Sequence, residues 1–164
     1  AVGERDGHVT SICLDDDESV ERGLGLLRSV GFGHHHSLVR QNSNRALSEL
    51  FQSRRRFDFI FVDGWKTFDH LAVEMYFFNQ LLERGGVITF DDSYMPSVRK
   101  AIRLLERFYG YKEVDYAAHN QTLRLRIYHV LTRGSFRFPY RALTKTRETA
   151  DQPPFKNWRF HRRI

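Results

Sequence analysis

A chain of 164 residues, 41% hydrophobic and 28% charged, has the size and composition of one globular domain with a sizeable core. Collagen-like, mucin-like and wholly disordered architectures are excluded, and no apolar run approaches the roughly 20 residues of a spanning helix. The net charge of +6 is concentrated at the end of the chain: Arg133 to Ile164 holds nine Lys/Arg against two acids, so the remainder is nearly neutral.

That basic segment is flecked with aromatics (Phe136, Phe138, Tyr140, Phe155, Trp158 and Phe160). Aromatic and basic side chains together can stack on single-stranded nucleic acid. The expectation is instead that the rings pack on the body while the arginines stay solvated, so neither nucleic acid nor a membrane is an expected partner. A lone cysteine, Cys13, forms neither an internal disulfide nor a cysteine-rich zinc site. It fits a reducing cytoplasm and reads as a small buried strand residue.

Along the chain, strand and helix signals alternate. His8 to Asp15 carries the run Val9-Thr10-Ser11-Ile12-Cys13-Leu14, closed by Asp15-Asp16-Asp17, and predicts a buried strand with an acidic loop at its carboxyl end. Glu18 to Val30 sets Val20, Leu24, Leu27 and Val30 at helical spacing before Gly31. His34-His35-His36 reads as surface loop, Ser37 to Gln41 as a short strand, and Asn42-Ser43 as the cap of a helix to about Gln52 with Ala46, Leu47 and Leu50 inward. Phe57 to Asp63 is the clearest strand. A helix is predicted from Thr67 to about Arg84, stopped by Gly85-Gly86, then a strand Val87 to Phe90 followed by Asp91-Asp92. Pro96 suits a first helical turn, with Val98, Ile102, Leu105 and Phe108 continuing the period to Gly110. Lys112 to Ala117 and Thr122 to Leu131 complete the pattern as a hairpin.

The alternation predicts an α/β fold, a doubly wound, mostly parallel sheet with an antiparallel hairpin at its end. Residues 1–132 would form that domain and 133–164 a basic aromatic tail packed on it or extending from it. Ligands of such sheets bind beyond the carboxyl ends of the strands. Three strands end in aspartate there, at Asp15, Asp63 and Asp91.

Each of these acids has a structural role and a chemical one open to it. Asp15, with Asp16 as the alternative, can accept from both hydroxyls of a ribose or cap the helix that follows. Asp63, Asp91 and Asp92 are hard oxygen ligands suited to Mg²⁺, Ca²⁺ or Mn²⁺, or else turn formers before Pro96. Lys66, three residues past Asp63, is a candidate general base or a solvated loop lysine. His70 follows one turn later as a second proton acceptor or a structural histidine.

The segments FVDGWKTF (Phe61 to Phe68) and GGVITFDD (Gly85 to Asp92) resemble the fourth- and fifth-strand motifs of class I S-adenosylmethionine-dependent methyltransferases, in a bacterial branch. The resemblance runs over most of the chain from about Val9, and the closing Trp158-Arg159-Phe160-His161 is similar as well. It implies a Rossmann-like fold, S-adenosylmethionine as cofactor and a small-molecule acceptor, with a homodimer left open. Asp15 or Asp16 would hold the cofactor's ribose, and Asn42 with Ser43 would approach the adenine. Asp63-Gly64-Trp65-Lys66 is also similar to the turn of catechol O-methyltransferases, in which the aspartate binds a divalent cation and the lysine is the base. Asp91 and Asp92 match the remaining ligands, although the second is usually asparagine there, and the bacterial branch commonly has histidine where Lys66 stands. The sequence departs from the family in lacking a G-x-G-x-x-G turn after a first strand, so the expectation is a fragment whose first strand lies upstream.

A receiver-like signalling domain is the reading from a different class. Asp15-Asp16-Asp17, Asp63, Ser93 and Lys112 follow in the order of its acidic pair, phospho-acceptor, hydroxyl and lysine. Lys112, however, begins its strand instead of ending it.

Overall fold

The computed structural model describes residues 7–14, 18–114 and 140–149. The chain divides into two compact units, residues 1–53 and 54–164.

In the first unit, β1 (Val9–Ile12) pairs in parallel with β2 (His36–Val39), Val9 opposite His36 and Ile12 opposite Val39. The ladder continues one residue further, where Cys13 N–H donates to the Val39 carbonyl at 3.1 Å. Between the strands lie α1 (Glu18–Ser29) and a 3-10 turn, Gly33–His35. His36 and Ser11 hydrogen-bond across the strand pair at 2.9 Å. α1 buries none of its residues: Val20, Leu24 and Leu27 are half-buried and Val30, just beyond the helix, is exposed. α2 (Ser43–Gln52) is capped by Asn42, whose side-chain oxygen accepts Asn44 N–H, and it buries Ala46 and Leu47 as its spacing predicts. Cys13 is half-buried and lies just past β1, not deep in a strand.

The second unit holds a four-stranded sheet in the order β3-β4-β6-β5, with β3 (Phe57–Val62), β4 (Leu82–Phe90), β5 (Tyr111–Glu113) and β6 (Arg141–Lys145). β3 and β4 run parallel, whereas β6 is antiparallel to both its neighbours. α3 (Phe68–Leu81) and α4 (Pro96–Phe108) pack on this sheet and on each other. Leu71, Leu81, Ile88, Phe90, Ile102, Leu105 and Leu143 are all 0% exposed, and removing such side chains from water supplies roughly 1.5–3 kcal/mol each. No helix among the described residues is long and apolar enough to cross a membrane.

Three expectations change here. α3 ends at Leu81, not near Arg84, and β4 starts at Leu82, which pairs with Phe57 before a register shift. Leu82-Glu83-Arg84 are good helix formers, so the stop is tertiary: Lys145 Nζ takes the carbonyls of Asn79 and Leu82 at 2.7 and 2.6 Å. Gly86 is required by close approach, since a Cβ there would meet the carbonyls of Asp58 and Glu83 at 2.9 Å.

Second, Arg141–Lys145, within the segment expected to pack on the domain or extend from it, is a strand of the sheet between β4 and β5, with its neighbouring Ala142 and Leu143 both buried. Third, its two basic residues are not solvated. Lys145 is 2% exposed, and Arg141 bonds Glu113 at 2.6 Å and Glu106 at 2.9 Å. The predicted strand Thr122 to Leu131 lies outside the described residues, as do Asp15, Asp16 and the end of the tail.

The Arg141 bond makes a pH prediction. Hydrogen bonding from Arg141 holds the Glu113 carboxyl below its ordinary 4.5. A lowered acid stabilises the fold above its unfolded value and loses that contribution as pH falls through the folded one. Glu113 is half-exposed, so the effect is under about 1 kcal/mol. Denaturant melts of Glu113→Gln should therefore fall slightly below wild type from pH 5 upward, with the gap closing as pH falls below 4.5.

Candidate active site

The carboxyl ends of β3 and β4 are brought level by one backbone bond, Asp91 N–H to the Val62 carbonyl at 3.0 Å. Asp63 follows β3 and Asp91 follows β4, so two loops of different elements emerge side by side. Asp92 adopts φ +50°, the left-handed region that Asp and Asn enter more readily than other side chains, and its N–H donates to Asp91 Oδ1 at 2.6 Å. A turn bond from Met95 N–H to the Asp92 carbonyl at 2.8 Å then starts α4. As a result the carboxylates of Asp63, Asp91 and Asp92 offer ligand atoms all within 4.8 Å of one another.

Lys66 reaches into this group. Its Nζ lies 3.2 Å from Asp63 Oδ1 and 3.9 Å from Asp92 Oδ2. The lysine backbone is held from α4, where Ser97 Oγ donates to the Lys66 carbonyl at 2.5 Å. Three carboxylates against one ammonium leave the cluster with two excess negative charges. Like charges about 5 Å apart repel by about 3 kcal/mol at an effective dielectric near 20, so the arrangement favours a further cation.

His70 lies in the first turn of α3 and is half-buried. Among the described residues, the cluster that could hold an ion comprises Asp63, Asp91 and Asp92, without a histidine. Its neighbour Asp69 is held below the usual carboxyl range by the Thr67 side chain and by His70 N–H, an exposed helix-start arrangement. Asn42 and Ser43 open α2 in the first unit, with the Asn42 carboxamide oxygen occupied by the cap.

Two neighbours of the acids escape a reading of the sequence. Tyr94 hydrogen-bonds Asp92, which holds its phenol above the usual range and so keeps it protonated as a donor. Ser97 secures the Lys66 carbonyl. The only signal for either was proximity in sequence to Asp91-Asp92 and to Pro96, where turn chemistry is an equally good account.

Residues 1–93 match the family model described as a methyltransferase domain, more than half of the chain. The chain belongs to that methyltransferase family. It is 31% identical over 88 residues to "Putative caffeoyl-CoA O-methyltransferase At1g67980" of Arabidopsis thaliana, a stretch covering 54% of this chain and 37% of the relative. A Staphylococcus aureus structure of the same designation superposes with a TM-score of 0.52 at 18% identity, over 67% of this chain and 59% of that one. Cofactor-bound Rv0187 from MTB gives 0.60 at 17%, over 87% and 63%. These structural likenesses establish a Rossmann-like methyltransferase fold, and the receiver-like alternative is set aside. The methyltransferase chain spans little more than a third of the plant relative's length and about three fifths of those structures.

Proposed function

We propose that the protein takes part in S-adenosylmethionine-dependent O-methyl transfer to a small hydroxylated acceptor, assisted by a divalent cation. The observation that carries this reading is the convergence of Asp63, Asp91 and Asp92 within 4.8 Å, with Lys66 bonded to two of them, in a chain of the methyltransferase family. The relative named for caffeoyl-CoA suggests a hydroxylated aromatic acceptor.

The donor set suits a hard cation: three carboxylates from two adjacent loops, with excess negative charge and no soft ligand. A cation bound there would orient the acceptor's hydroxyl and favour its ionised form. The cofactor would supply an electrophilic methyl group on sulfonium sulfur. In the first unit we assign the ribose to Asp15 or Asp16 and the adenine edge to Asn42 and Ser43. Asn42 can still donate through its amide nitrogen while its oxygen caps α2. We assign Asp63 to the cofactor as well as to the cation, and its carboxylate is an acceptor in either role.

Lys66 is the candidate base by position, its Nζ lying 3.2 Å from Asp63 and 3.9 Å from Asp92; it would take the acceptor's proton as the neutral amine, after its ammonium form has given a proton to solvent. His70 is the second candidate. General-base catalysis is worth roughly 10²–10⁴-fold. Lys66→Ala should therefore lower kcat by at least about a hundredfold with little change in the acceptor's KM, and His70→Ala by much less. The acceptor class is tested by pairing catechols and hydroxycinnamoyl thioesters with amines of the same frame. Transfer to hydroxyl acceptors is expected, and transfer confined to amines would overturn the O-methyl reading.

A further inference from the structure

Behind the turn that carries Asp63 and Lys66 lies an acid with no part in the chemistry above. Glu74 falls on the inward stripe of α3, in register with Leu71, Met75 and Phe78, and is only 2% exposed. A carboxyl group on a core-facing stripe is costly to desolvate, the more so when ionised. The nearest part of the site is Gly64: a Cβ built on that residue would lie 3.8 Å from Glu74 Oε1. Gly64 is the residue between the cluster's Asp63 and the Trp65-Lys66 pair. Its backbone thus has the carboxyl group of α3 behind it, and the same turn is tied to α4 through the Ser97 bond to the Lys66 carbonyl.

We infer that Glu74 is a positioning residue: its buried carboxyl group braces the Asp63-Gly64-Trp65-Lys66 turn, fixing where Asp63 and Lys66 stand without touching acceptor or cofactor. Its contribution to methyl transfer rests on the function proposed above, whereas the brace itself does not. On that turn Asp63 is exposed and Lys66 half-buried, with Glu74 buried behind it.

The test is amide hydrogen exchange on the full chain, comparing wild type, Glu74→Gln, which keeps the shape and exchanges a carboxyl oxygen for an amide, and Leu105→Ala, a core deletion in α4. Glu74→Gln should speed exchange of the Gly64, Trp65 and Lys66 amides at least tenfold beyond the change at Ile88 and Phe90. Leu105→Ala should speed all of them together. Equal acceleration at the turn and in β4 for Glu74→Gln would overturn the proposal and leave Glu74 an ordinary buried residue. Should that variant not fold, Glu74→Asp, which withdraws the carboxyl group from the turn by one methylene, is the second variant. Faster exchange at Trp65 and Lys66 than at Ile88 and Phe90 supports the brace, and equal acceleration overturns it. In methyl transfer, Glu74→Gln should lower kcat about tenfold with the acceptor's KM unchanged. If the protein transfers no methyl group, the functional reading fails while the exchange result still decides the brace.

Discussion

Asp63→Asn is expected to reduce methyl transfer by about a hundredfold to a thousandfold while leaving the thermal melt within about 2 °C of wild type. Asp63 contributes to the cluster and the Lys66 bond but is itself exposed, so its loss takes little from the core. Cation assistance of this kind is worth several kcal/mol, and each 1.36 kcal/mol is a factor of ten in rate. An asparagine keeps one acceptor oxygen and the side chain's shape but removes a negative charge from the ligand set. Titration with Mn²⁺, followed by its paramagnetic signal, should show the affinity falling in parallel with the rate. A rate loss without any loss of Mn²⁺ affinity would assign Asp63 to acceptor or cofactor alone.

The largest stability effect expected from a polar residue is at Lys145. Burial pushes its ammonium below the usual lysine value of 10.5, yet the group stays in place through the carbonyls of Asn79 and Leu82. Thr149 Oγ1 reinforces the junction by donating to the same Asn79 carbonyl at 2.6 Å, and Tyr111 donates to the Asn79 side chain at 3.2 Å. Charge-assisted hydrogen bonds contribute roughly 1.5–3 kcal/mol each, and the recovered desolvation of the lysine offsets part of two such bonds. Lys145→Met should therefore cost about 2–3 kcal/mol, or roughly 5–10 °C in Tm for a chain of this size. The pH dependence has a definite sign. Because the folded value lies below the unfolded one, the unfolded chain binds more protons between them, and wild-type stability gains on Lys145→Met as pH rises toward 10.5. A melt unchanged by Lys145→Met would mean that α3 ends at Leu81 for reasons of its own.

What the sequence revealed of the site follows from where strands must stop. Asp63 and Asp91 each break an apolar run, and parallel strands in neighbouring positions bring such residues together, so their meeting was legible before any coordinates. The left-handed backbone of Asp92 was not, although Asp is one of the few side chains that enter that region readily. Lys66 was legible as a candidate because it follows Asp63 within one turn. Glu74 was hidden by composition, since an acid inside a long helix reads as part of its solvated face until the register with Leu71 and Phe78 is fixed in space. Lys145 was hidden likewise by its basic surroundings, which made a buried cation look like one more solvated charge. The end of α3 was beyond local reasoning, because Leu82-Glu83-Arg84 favours helix and the contact that stops it comes from a residue some 60 positions away.

The central claim is that the cluster of Asp63, Asp91, Asp92 and Lys66 serves methyl transfer from S-adenosylmethionine to oxygen. Incubating the protein with cofactor labelled in its methyl group, together with a catechol or hydroxycinnamoyl thioester and Mg²⁺, measures this directly. The predicted result is label on the acceptor's oxygen, lost on adding a chelator and restored by excess Mg²⁺. Label transferred at the same rate with chelator present, and equally by Asp63→Asn, would contradict it.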